Sequence, residues 1–327
     1  MKKNNMKAVY TICTPSHIAE AQTLISSVSE QSPEAAGIIF LFNADAFAAQ
    51  SLSSFGTAET IVVDAMQLAH YGEMKARYTA FELSCALKPY LADYLLHERG
   101  YEQVIYFDAD ILVTHPLLPV WESLAEKKLI LTGHVNGTAI WEGDDIAVKA
   151  RRSIERNMLR GGVFNGGFFA VEKSTGTGAF LSWWMRVLLD GCYNKPSKGL
   201  FVDQLWLATT PLLFNNLLLI SKHPGFNMAY WNLDERKLVK NGDLYDVITS
   251  EGTRVPLIFF HFSGFKAEAA GEISVYHPNL YSFASRPELK PLFEDYKSRL
   301  LGHGYSAIKA RYSKKSFWQR LFSSSGS

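Results

Sequence analysis

The sequence VIYFDADILV, residues Val104–Val113, is the most informative segment of this chain. Its apolar residues predict a buried β-strand that continues past two acidic residues, Asp108 and Asp110. Burying unpaired carboxylates is costly, and two of them one residue apart repel each other unless a cation lies between them. Carboxylate oxygens are the ligands that Mg²⁺ and Mn²⁺ prefer. The segment therefore predicts a divalent metal site, and the alternative is a strand-end aspartate that caps the next turn beside an exposed neighbour.

Outward from this segment, short apolar runs alternate with windows of helical periodicity. Such alternation is typical of an α/β fold with a mostly parallel central sheet. Pro89 suits the first turn of a helix and is therefore expected to divide the longest helical window in two. The predicted strands are Ala8–Cys13, Ile38–Phe42 and Thr60–Val63, and the predicted helical windows are Ser16–Ser29 and Lys75–Glu98.

The sequence changes character after about residue 270, where Pro278, Pro287 and Pro291 precede a basic end. We therefore predict one large domain over residues 1–270 and a helical and irregular C-terminal extension over residues 271–327. Neither a repeat of 20–50 residues nor an interdomain linker is recognisable.

The charge of the chain is unevenly distributed. The 327 residues are 47% hydrophobic and carry a net charge of +1, which argues against a nucleic-acid binder and against an acidic disordered chain. From Ala307 onward there are five basic residues and no acidic ones, so the rest of the chain has a net charge of −4. Aromatic and aliphatic residues between these cations suit an anionic membrane surface, and the alternative is a solvated end. The tail residues are Lys309, Arg311, Lys314, Lys315, Phe317, Trp318, Arg320, Leu321 and Phe322.

The cysteines and the lengths of the apolar stretches indicate the cellular compartment of the protein. Cys13, Cys85 and Cys192 are far apart and odd in number, which favours a reducing compartment over a disulfide framework. The apolar stretch after Lys7 is too short for a signal peptide, and no run approaches the length of a spanning helix. We expect a cytoplasmic protein that contacts the inner face of the cytoplasmic membrane peripherally through its tail.

Further polar residues stand in apolar sequence, where each needs a partner. Asn165-Gly166-Gly167 suits a backbone that approaches a ligand closely, or else a plain turn or strand bulge. Asp203-Gln204 suits sugar hydroxyl groups, or a helix cap. His261 suits a third metal ligand, or a hydrogen-bonded core histidine. Trp231-Asn232 suits a carbohydrate surface, or ordinary core packing.

These segments, in this order, resemble nucleotide-sugar glycosyltransferases of the GT-A fold, with the motif order of the bacterial branch of family 8. The matching pieces cover roughly residues 8–266. They are Lys88 on the preceding helix, Asp108-Ala109-Asp110 as the Asp-x-Asp motif, Phe164-Asn165-Gly166-Gly167-Phe168, Asp203-Gln204, and His261-Phe262-Ser263-Gly264. Two pieces depart from the family pattern: Thr14-Pro15-Ser16-His17 lacks the usual acids and asparagine, and Lys266 comes one position early.

The resemblance implies a catalytic domain over residues 1–270 with a Rossmann-like GT-A fold. It implies that Asp108, Asp110 and His261 hold Mn²⁺ or Mg²⁺ against the diphosphate of a nucleotide sugar, with UDP as the expected nucleotide. It implies transfer of a hexose, with retention of configuration, to a glycan or lipid-linked acceptor in bacterial surface polysaccharide or lipopolysaccharide synthesis. The implied donor contacts are Thr14, Lys88, Asp108, Ala109, Asn165, Gly166, Gly167, Gly264 and Lys266; the implied catalytic residues are Asp203 and Gln204, and the implied substrate contacts are Trp231 and Asn232.

Two other classes stay open at this level. In a phosphatase of the haloacid-dehalogenase type, Asp108 would be the nucleophile, although Leu112 stands where that class has threonine or valine. A non-catalytic carbohydrate-binding protein would keep the fold without the metal. The sequence alone predicts neither the donor sugar nor an oligomeric state.

Overall fold

The structure, a computed structural model, describes residues 6–45, 58–137, 146–268, 271–278 and 280–312. Its strands are β1 (Lys7–Cys13), β2 (Ala35–Leu41), β3 (Glu59–Val62), β4 (Gln103–Phe107), β5 (Ile111–Val113), β6 (Leu129–Gly133), β7 (Phe164–Glu172), β8 (Asn194–Lys195), β9 (Leu200–Phe201), β10 (Leu218–Ser221), β11 (Arg236–Asn241), β12 (Leu244–Thr249), β13 (Arg254–Pro256) and β14 (Phe259–His261). Its α-helices are α1 (Ile18–Gln31), α2 (Tyr71–Arg77), α3 (Ala80–His97), α4 (Leu118–Glu126), α5 (Ile146–Gly161), α6 (Thr175–Gly191), α7 (Gln204–Leu207), α8 (Thr210–Leu213) and α9 (Lys290–Gly302).

A seven-stranded sheet in the order β10-β6-β7-β4-β1-β2-β3 forms the centre of the fold. Neighbouring strands are parallel except at β7, which runs antiparallel to both β4 and β6. The predicted α/β class with a mostly parallel sheet is therefore confirmed, as are the three predicted strands, with shifted ends. All five residues of β4 are buried. Since ligands of open α/β sheets bind beyond the carboxyl ends of the strands, the residues that follow β4 lie where a site is expected.

Apolar layers cover both faces of this sheet. One layer contains Leu24 of α1 and Phe293 of α9, together with residues of α4 and β14. The other contains Leu91 of α3 and Trp184 of α6. Helices therefore shield β4 from both sides, as a buried and largely parallel sheet requires.

The expectation that one strand carries both aspartates is wrong. β4 ends at Phe107, and the backbone turns over Asp108-Ala109-Asp110, where the Ile111 amide donates to the Asp108 carbonyl at 3.2 Å. β5 then leaves the main sheet and pairs antiparallel with β14. The turn gives both carboxylates access to solvent, which a continuous buried strand would deny them.

The expected helix break at Pro89 is also wrong. The chain breaks earlier, between α2 and α3, where Thr79 and Glu82 form a capping box that starts α3. Pro89 lies inside α3, whose residues from Cys85 to Ala92 are all buried. A proline inside a helix costs about 3 kcal/mol. Core packing on both sides of α3 outweighs that cost, so the helix continues through Pro89.

The C-terminal part of the chain packs onto the main core. The ring of Phe262 stacks on Tyr296 of α9 with a centroid distance of 3.8 Å, and Tyr305 and Ile308 belong to the same apolar cluster as β1 and α1. The Lys309 ammonium then donates to the Ser16 carbonyl at 2.8 Å. The remaining basic and aromatic tail residues, 313–327, lie outside the described residues.

None of the helices in the described ranges combines the length and the apolar character that crossing a bilayer requires. Cys13, Cys85 and Cys192 are all free thiols and buried.

The capping box of α3 gives a stability prediction. Thr79→Ala removes the side-chain acceptor of the Glu82 amide and should lower the free energy of unfolding by about 1 kcal/mol. Thr175→Ala, at an exposed threonine in the first turn of α6, is the control and should change it by less than about 0.5 kcal/mol. Urea denaturation of the unchanged protein and the two variants measures the difference. Equal midpoints for the unchanged protein and Thr79→Ala would contradict the cap assignment.

Candidate active site

Three metal-competent side chains converge beyond β4. The pairing of β5 with β14 sets Ile111 opposite His261 and so carries the imidazole to the acidic turn. His261 Nε2 lies 3.0 Å from Asp110 Oδ1 and 4.0 Å from Asp108 Oδ2. One potential ligand atom from each of the three residues falls within 4.8 Å of the others. Two carboxylates and one imidazole are a donor set that suits Mn²⁺ or Mg²⁺.

The charges at this cluster already favour a cation. Burial alone would lower the pKa of His261, but the Asp110 and Asp108 carboxylates outweigh it and raise the pKa above its ordinary value. Burial alone would raise the pKa of Asp110, but His261 lowers it. The carboxylates thus attract a positive charge, which an imidazolium proton or a divalent ion can supply. The residues fit the metal that the sequence predicts.

Two glycines of β7 let these groups approach the backbone. A Cβ on Gly167 would lie 2.4 Å from His261 Cε1 and 2.8 Å from Asp108 Oδ2. A Cβ on Gly166 would lie 2.7 Å from Asp203 Oδ2. The Asn165 side chain accepts from the Gly167 amide at 3.1 Å and thereby holds the strand in place. The Asn-Gly-Gly segment is therefore a close-approach surface within a strand. The plain-turn alternative is excluded, whereas the register between β6 and β7 shifts at this segment, as the strand-bulge alternative predicts.

Lys88 joins four parts of the site in the interior. Its ammonium donates to Asp203 Oδ2 and to the Gly166 carbonyl, each at 2.9 Å, and lies 3.5 Å from Asp108 Oδ1. It also lies 4.8 Å from the centre of the Tyr106 ring. Burial disfavours the ammonium, but the Asp108 and Asp203 carboxylates outweigh it and raise the pKa of Lys88. Lys88 is therefore an interior residue of the site, with 3% of its surface exposed.

Asp203 contacts this lysine from the start of α7, and Gln204 is the next residue along the chain. Asp203 makes no side-chain cap bond, so the helix-cap alternative is wrong. Gln204 Oε1 accepts from the Gly166 amide at 3.1 Å, and its Nε2 donates to the Gly161 carbonyl at 2.8 Å. The preceding residue, Val202, has a φ of 39°, which is strained for a β-branched side chain. Such strain persists where surrounding contacts impose it, and functional sites are one such place.

The two residues with a predicted substrate role, Trp231 and Asn232, have different surroundings. Trp231 is buried, lines the site cavity and contacts the His261 ring edge-to-face, with centroids 5.1 Å apart. Asn232 is fully buried. Its Oδ1 accepts from the Ala229 amide, and its Nδ2 donates to the His134 and Asn227 carbonyls. Its hydrogen-bonding groups shape the loop, so Asn232 supports the wall behind Trp231 and does not line the cavity.

Two cavities meet at Asp108 and Asp110. The first, of about 590 Å³, is lined by most of the residues that are predicted to bind the sugar or the metal: Lys88, Asn165, Gly166, Gly167, Asp203, Gln204, Trp231 and His261. The second, of about 880 Å³, lies between the first helix and the C-terminal segment and is lined by Thr14, Ala109, Gly264 and Lys266, among others. Every predicted site residue except Asn232 therefore borders one of two cavities that share Asp108 and Asp110 in their walls.

In the wall of the second cavity, the backbone requires glycine at position 264. Gly264 has a φ of 75°, and a Cβ there would lie 2.5 Å from Ser274 Oγ and 2.6 Å from the Tyr276 ring. Thr14 also lines this cavity, and its Oγ1 lies 3.0 Å from Ser16 Oγ and 3.2 Å from His17 Nδ1.

Sequence reasoning missed Tyr106 and Asn227. Tyr106 donates to Asp108 Oδ1 at 2.5 Å, and the two-residue spacing along an extended chain indicates a shared face. Asn227 Nδ2 donates to Asn165 Oδ1 at 3.1 Å, and its φ of 53° places it in the left-handed region. Only the folded chain brings Asn227 to β7, so no local signal identifies it.

This arrangement of strands and helices is the GT-A fold that the sequence resemblance predicts. The structure of an active-site mutant of LgtC superposes on the chain with a TM-score of 0.51, at 14% identity, over 90% of this chain and 95% of that one. The glycosyltransferase GlyE of Streptococcus pneumoniae TIGR4 matches 95% of this chain and 64% of its own, with a TM-score of 0.48 and 15% identity. The uncharacterized protein YfnF of Bacillus subtilis (strain 168) is 24% identical over 274 residues, which cover 83% of this chain and 85% of YfnF. No protein-family model matches the sequence.

The buried Lys88–Asp203 pair gives a second stability prediction. Lys88→Met leaves the Asp203 carboxylate buried without its cation and should lower the free energy of unfolding by about 3–5 kcal/mol. Lys75→Met removes the exposed partner of Asp64 and should cost less than about 1 kcal/mol. Chemical denaturation measures both, and similar losses for the two variants would contradict the role of Lys88.

The close approach at Gly167 predicts a selective loss of metal binding. Gly167→Ala should weaken Mn²⁺ binding at least about tenfold, because the methyl group displaces His261 or Asp108. Gly178→Ala, on α6 with open space around the added atom, is the matched control and should retain Mn²⁺ affinity. Mn²⁺ titration followed by electron paramagnetic resonance gives the affinities. A folded Gly167→Ala protein with unchanged affinity would refute the cluster as the metal site.

Proposed function

We propose that this chain is a metal-dependent glycosyltransferase of the family 8 type. The observation that carries the proposal is the position of Asp108, Asp110 and His261, where a cavity lined by polar strand and loop residues meets a second, larger one. That position suits a nucleotide sugar that spans both cavities with its diphosphate at the cluster. LgtC, whose fold the chain shares, is named as a galactosyltransferase and has been crystallised with donor and acceptor sugar analogs.

The donor would be held in two parts. Thr14, Ala109, Gly264 and Lys266 line the cavity that we assign to the nucleoside, with UDP as the expected carrier. Asn165, Gly166 and Gly167 line the cavity that we assign to the transferred hexose. A divalent ion bound by the Asp-Asp-His cluster would neutralise charge on the departing diphosphate. Mn²⁺ and Mg²⁺ both suit these ligands.

The protein's own residues would act mainly by holding the reacting groups in the right geometry. Asp203 is bonded to Lys88, and both polar atoms of the Gln204 amide are bonded to backbone, so neither is a free nucleophile. This favours departure of the nucleotide and attack by the acceptor on the same face of the sugar, which retains configuration. The bond from the anomeric carbon to the diphosphate breaks, a bond to the acceptor oxygen forms, and the acceptor proton passes to the departing phosphate oxygen. Lys88 keeps Gly166 and Asp108 in the geometry that this step needs.

The acceptor would be a glycan or lipid-linked sugar of the bacterial surface, handled in the cytoplasm at the inner face of the membrane. The support for membrane contact is compositional, since the tail beyond Tyr312 combines cations with aromatic residues.

The metal cluster gives the test of this function. Calorimetric titration of UDP in the presence of Mn²⁺ should show binding that is lost without the metal. Asp110→Asn and His261→Gln should each weaken it at least about tenfold, because each removes one ligand of three. Asp243→Asn, at an exposed turn between β11 and β12, is the control and should bind as the unchanged protein does.

Two outcomes would overturn the proposal. UDP binding that is absent, or that is equal with and without Mn²⁺, would exclude the metal-dependent transferase. Turnover of an aryl phosphate that Asp108→Asn abolishes while UDP does not bind would establish the phosphatase alternative instead.

A further inference from the structure

We infer that the imidazole of His134 binds a hydroxyl group of the transferred hexose, with its Nε2 as the hydrogen-bond acceptor, and so helps to select the donor sugar. The inference rests on the proposed transfer function and adds a specificity-determining residue to it.

The hydrogen bonds of His134 fix which ring nitrogen carries the proton. Its Nδ1 lies 3.2 Å from the Val163 carbonyl oxygen, which can only accept, so Nδ1 is the protonated nitrogen. The backbone amide of His134 donates to the same carbonyl at 3.1 Å. These two bonds hold the imidazole against the start of β7. In a neutral ring they leave Nε2 with a free lone pair, as an acceptor.

This acceptor has no partner within the described part of the chain. His134 is half-buried and lines the first cavity. None of the described residues bonds to its Nε2, and this atom is not among the polar side-chain atoms that are shut off from solvent without a partner. A ligand that enters the first cavity can therefore reach it.

The charge state of the ring defines the kind of group that it binds. Burial lowers the pKa of His134 to about 4; the bond to Val163 opposes this shift, and His261 adds to it. The imidazole is therefore neutral at pH 7. A neutral Nε2 accepts from a hydroxyl or an amide N–H, whereas an ionised phosphate offers it no proton. This chemistry suits a sugar and not the diphosphate.

β6 and β7 place His134 in the wall that we assign to the hexose. β6 ends directly before His134, and its last residue pairs with Phe164 of β7, which precedes Asn165. Asn165 Oδ1 accepts from Asn227 Nδ2 at 3.1 Å. Asn232 Nδ2 donates to the Asn227 carbonyl at 3.0 Å and to the His134 carbonyl at 3.1 Å. Hydrogen bonds thus join His134 to the residues that hold Asn165.

Trp231 lies between this histidine and the metal cluster. Its ring contacts the His134 ring, with centroids 5.3 Å apart, and the His261 ring, with centroids 5.1 Å apart. A hexose linked to a diphosphate at the cluster therefore has only one indole between its metal-bound end and His134. Trp231 is 4% exposed and lines the same cavity, and its Nε1 has no hydrogen-bond partner among the described residues. A hydroxyl group carries both a proton for His134 and an acceptor oxygen for Trp231.

A comparison of UDP with sugar nucleotides tests the inference on the full chain saturated with Mn²⁺. The ligands are UDP, UDP-glucose, UDP-galactose and UDP-N-acetylglucosamine, followed by the monodeoxy analogues of whichever sugar nucleotide binds tightest. His134→Phe keeps an aromatic ring beside Trp231 but has no acceptor. It should weaken that sugar nucleotide about fivefold, the loss expected for one hydrogen bond, and change the affinity for UDP less than about twofold. Isothermal titration calorimetry gives the affinities.

The deoxy analogues identify the hydrogen bond itself. One of them should bind the unchanged protein about fivefold more weakly than the parent sugar nucleotide and lose nothing further in His134→Phe, because the hydroxyl and the acceptor belong to one bond. The other analogues should stay sensitive to the variant. A merely structural role for His134 would weaken all of them alike.

Two further variants complete the comparison. His134→Gln supplies an amide oxygen in place of Nε2 and should keep the affinity for the sugar nucleotide within about twofold. His97→Phe, at an exposed histidine at the end of α3 that lines neither cavity, is the matched control and should bind every ligand as the unchanged protein does.

The Mn²⁺-dependent affinity for UDP, measured on each protein, reports separately on the proposed function. Where UDP binds normally, the inference is overturned if the sugar nucleotides do not bind, or if His134→Phe weakens them no more than it weakens UDP. A loss in His134→Phe that every deoxy analogue shares would also overturn it. An unchanged affinity for the sugar nucleotide in that variant would leave His134 to the acceptor sugar, against the inference.

Discussion

The buried ammonium of Lys88 is the interaction on which the site depends. It bonds the Asp203 carboxylate and the Gly166 carbonyl and lies close to Asp108, so it connects α3, β4, β7 and the start of α7. Without it, the Asp203 carboxylate would be left buried without its cation, which is costly. The same charge restrains Asp108 at the position where a metal ligand is needed. The geometry of the site and the stability of the core therefore both depend on the Lys88 side chain.

The lack of side chains at two glycines is the complementary constraint. Gly166 admits the Asp203 carboxylate to the backbone of β7, and Gly167 admits His261 and Asp108. The antiparallel direction of β7 places its first residues next to the carboxyl end of β4, where the acidic turn begins. The Asp108 amide donates to the Gly167 carbonyl at 2.8 Å and fixes that contact. Strand direction and glycine thus allow a polar cluster to form at the edge of an apolar sheet.

The features that local sequence could predict are those with local causes. The apolar run before Asp108 indicated a buried strand, and the alternation of runs indicated the sheet type, because both depend on near neighbours. The ligand role of His261 was suggested by family resemblance, whereas its distance to Asp110 follows from the pairing of β5 with β14, which no local pattern reveals. Local propensity predicts a helix break at Pro89, whereas the core contacts of α3, which local sequence does not reveal, keep the helix intact. Asn232 was expected to face a sugar, but its amide bonds backbone groups that only the folded chain brings together.

The central claim is that Asp108, Asp110 and His261 together hold the ion that binds the donor. The most direct test is a crystal of the protein grown with Mn²⁺ and UDP, with anomalous diffraction recorded above and below the manganese absorption edge. The account predicts a manganese peak coordinated by all three side chains and by phosphate oxygens of UDP, with the nucleoside in the cavity beside Thr14 and Gly264. UDP bound without manganese at the cluster, or manganese bound only elsewhere on the protein, would contradict it.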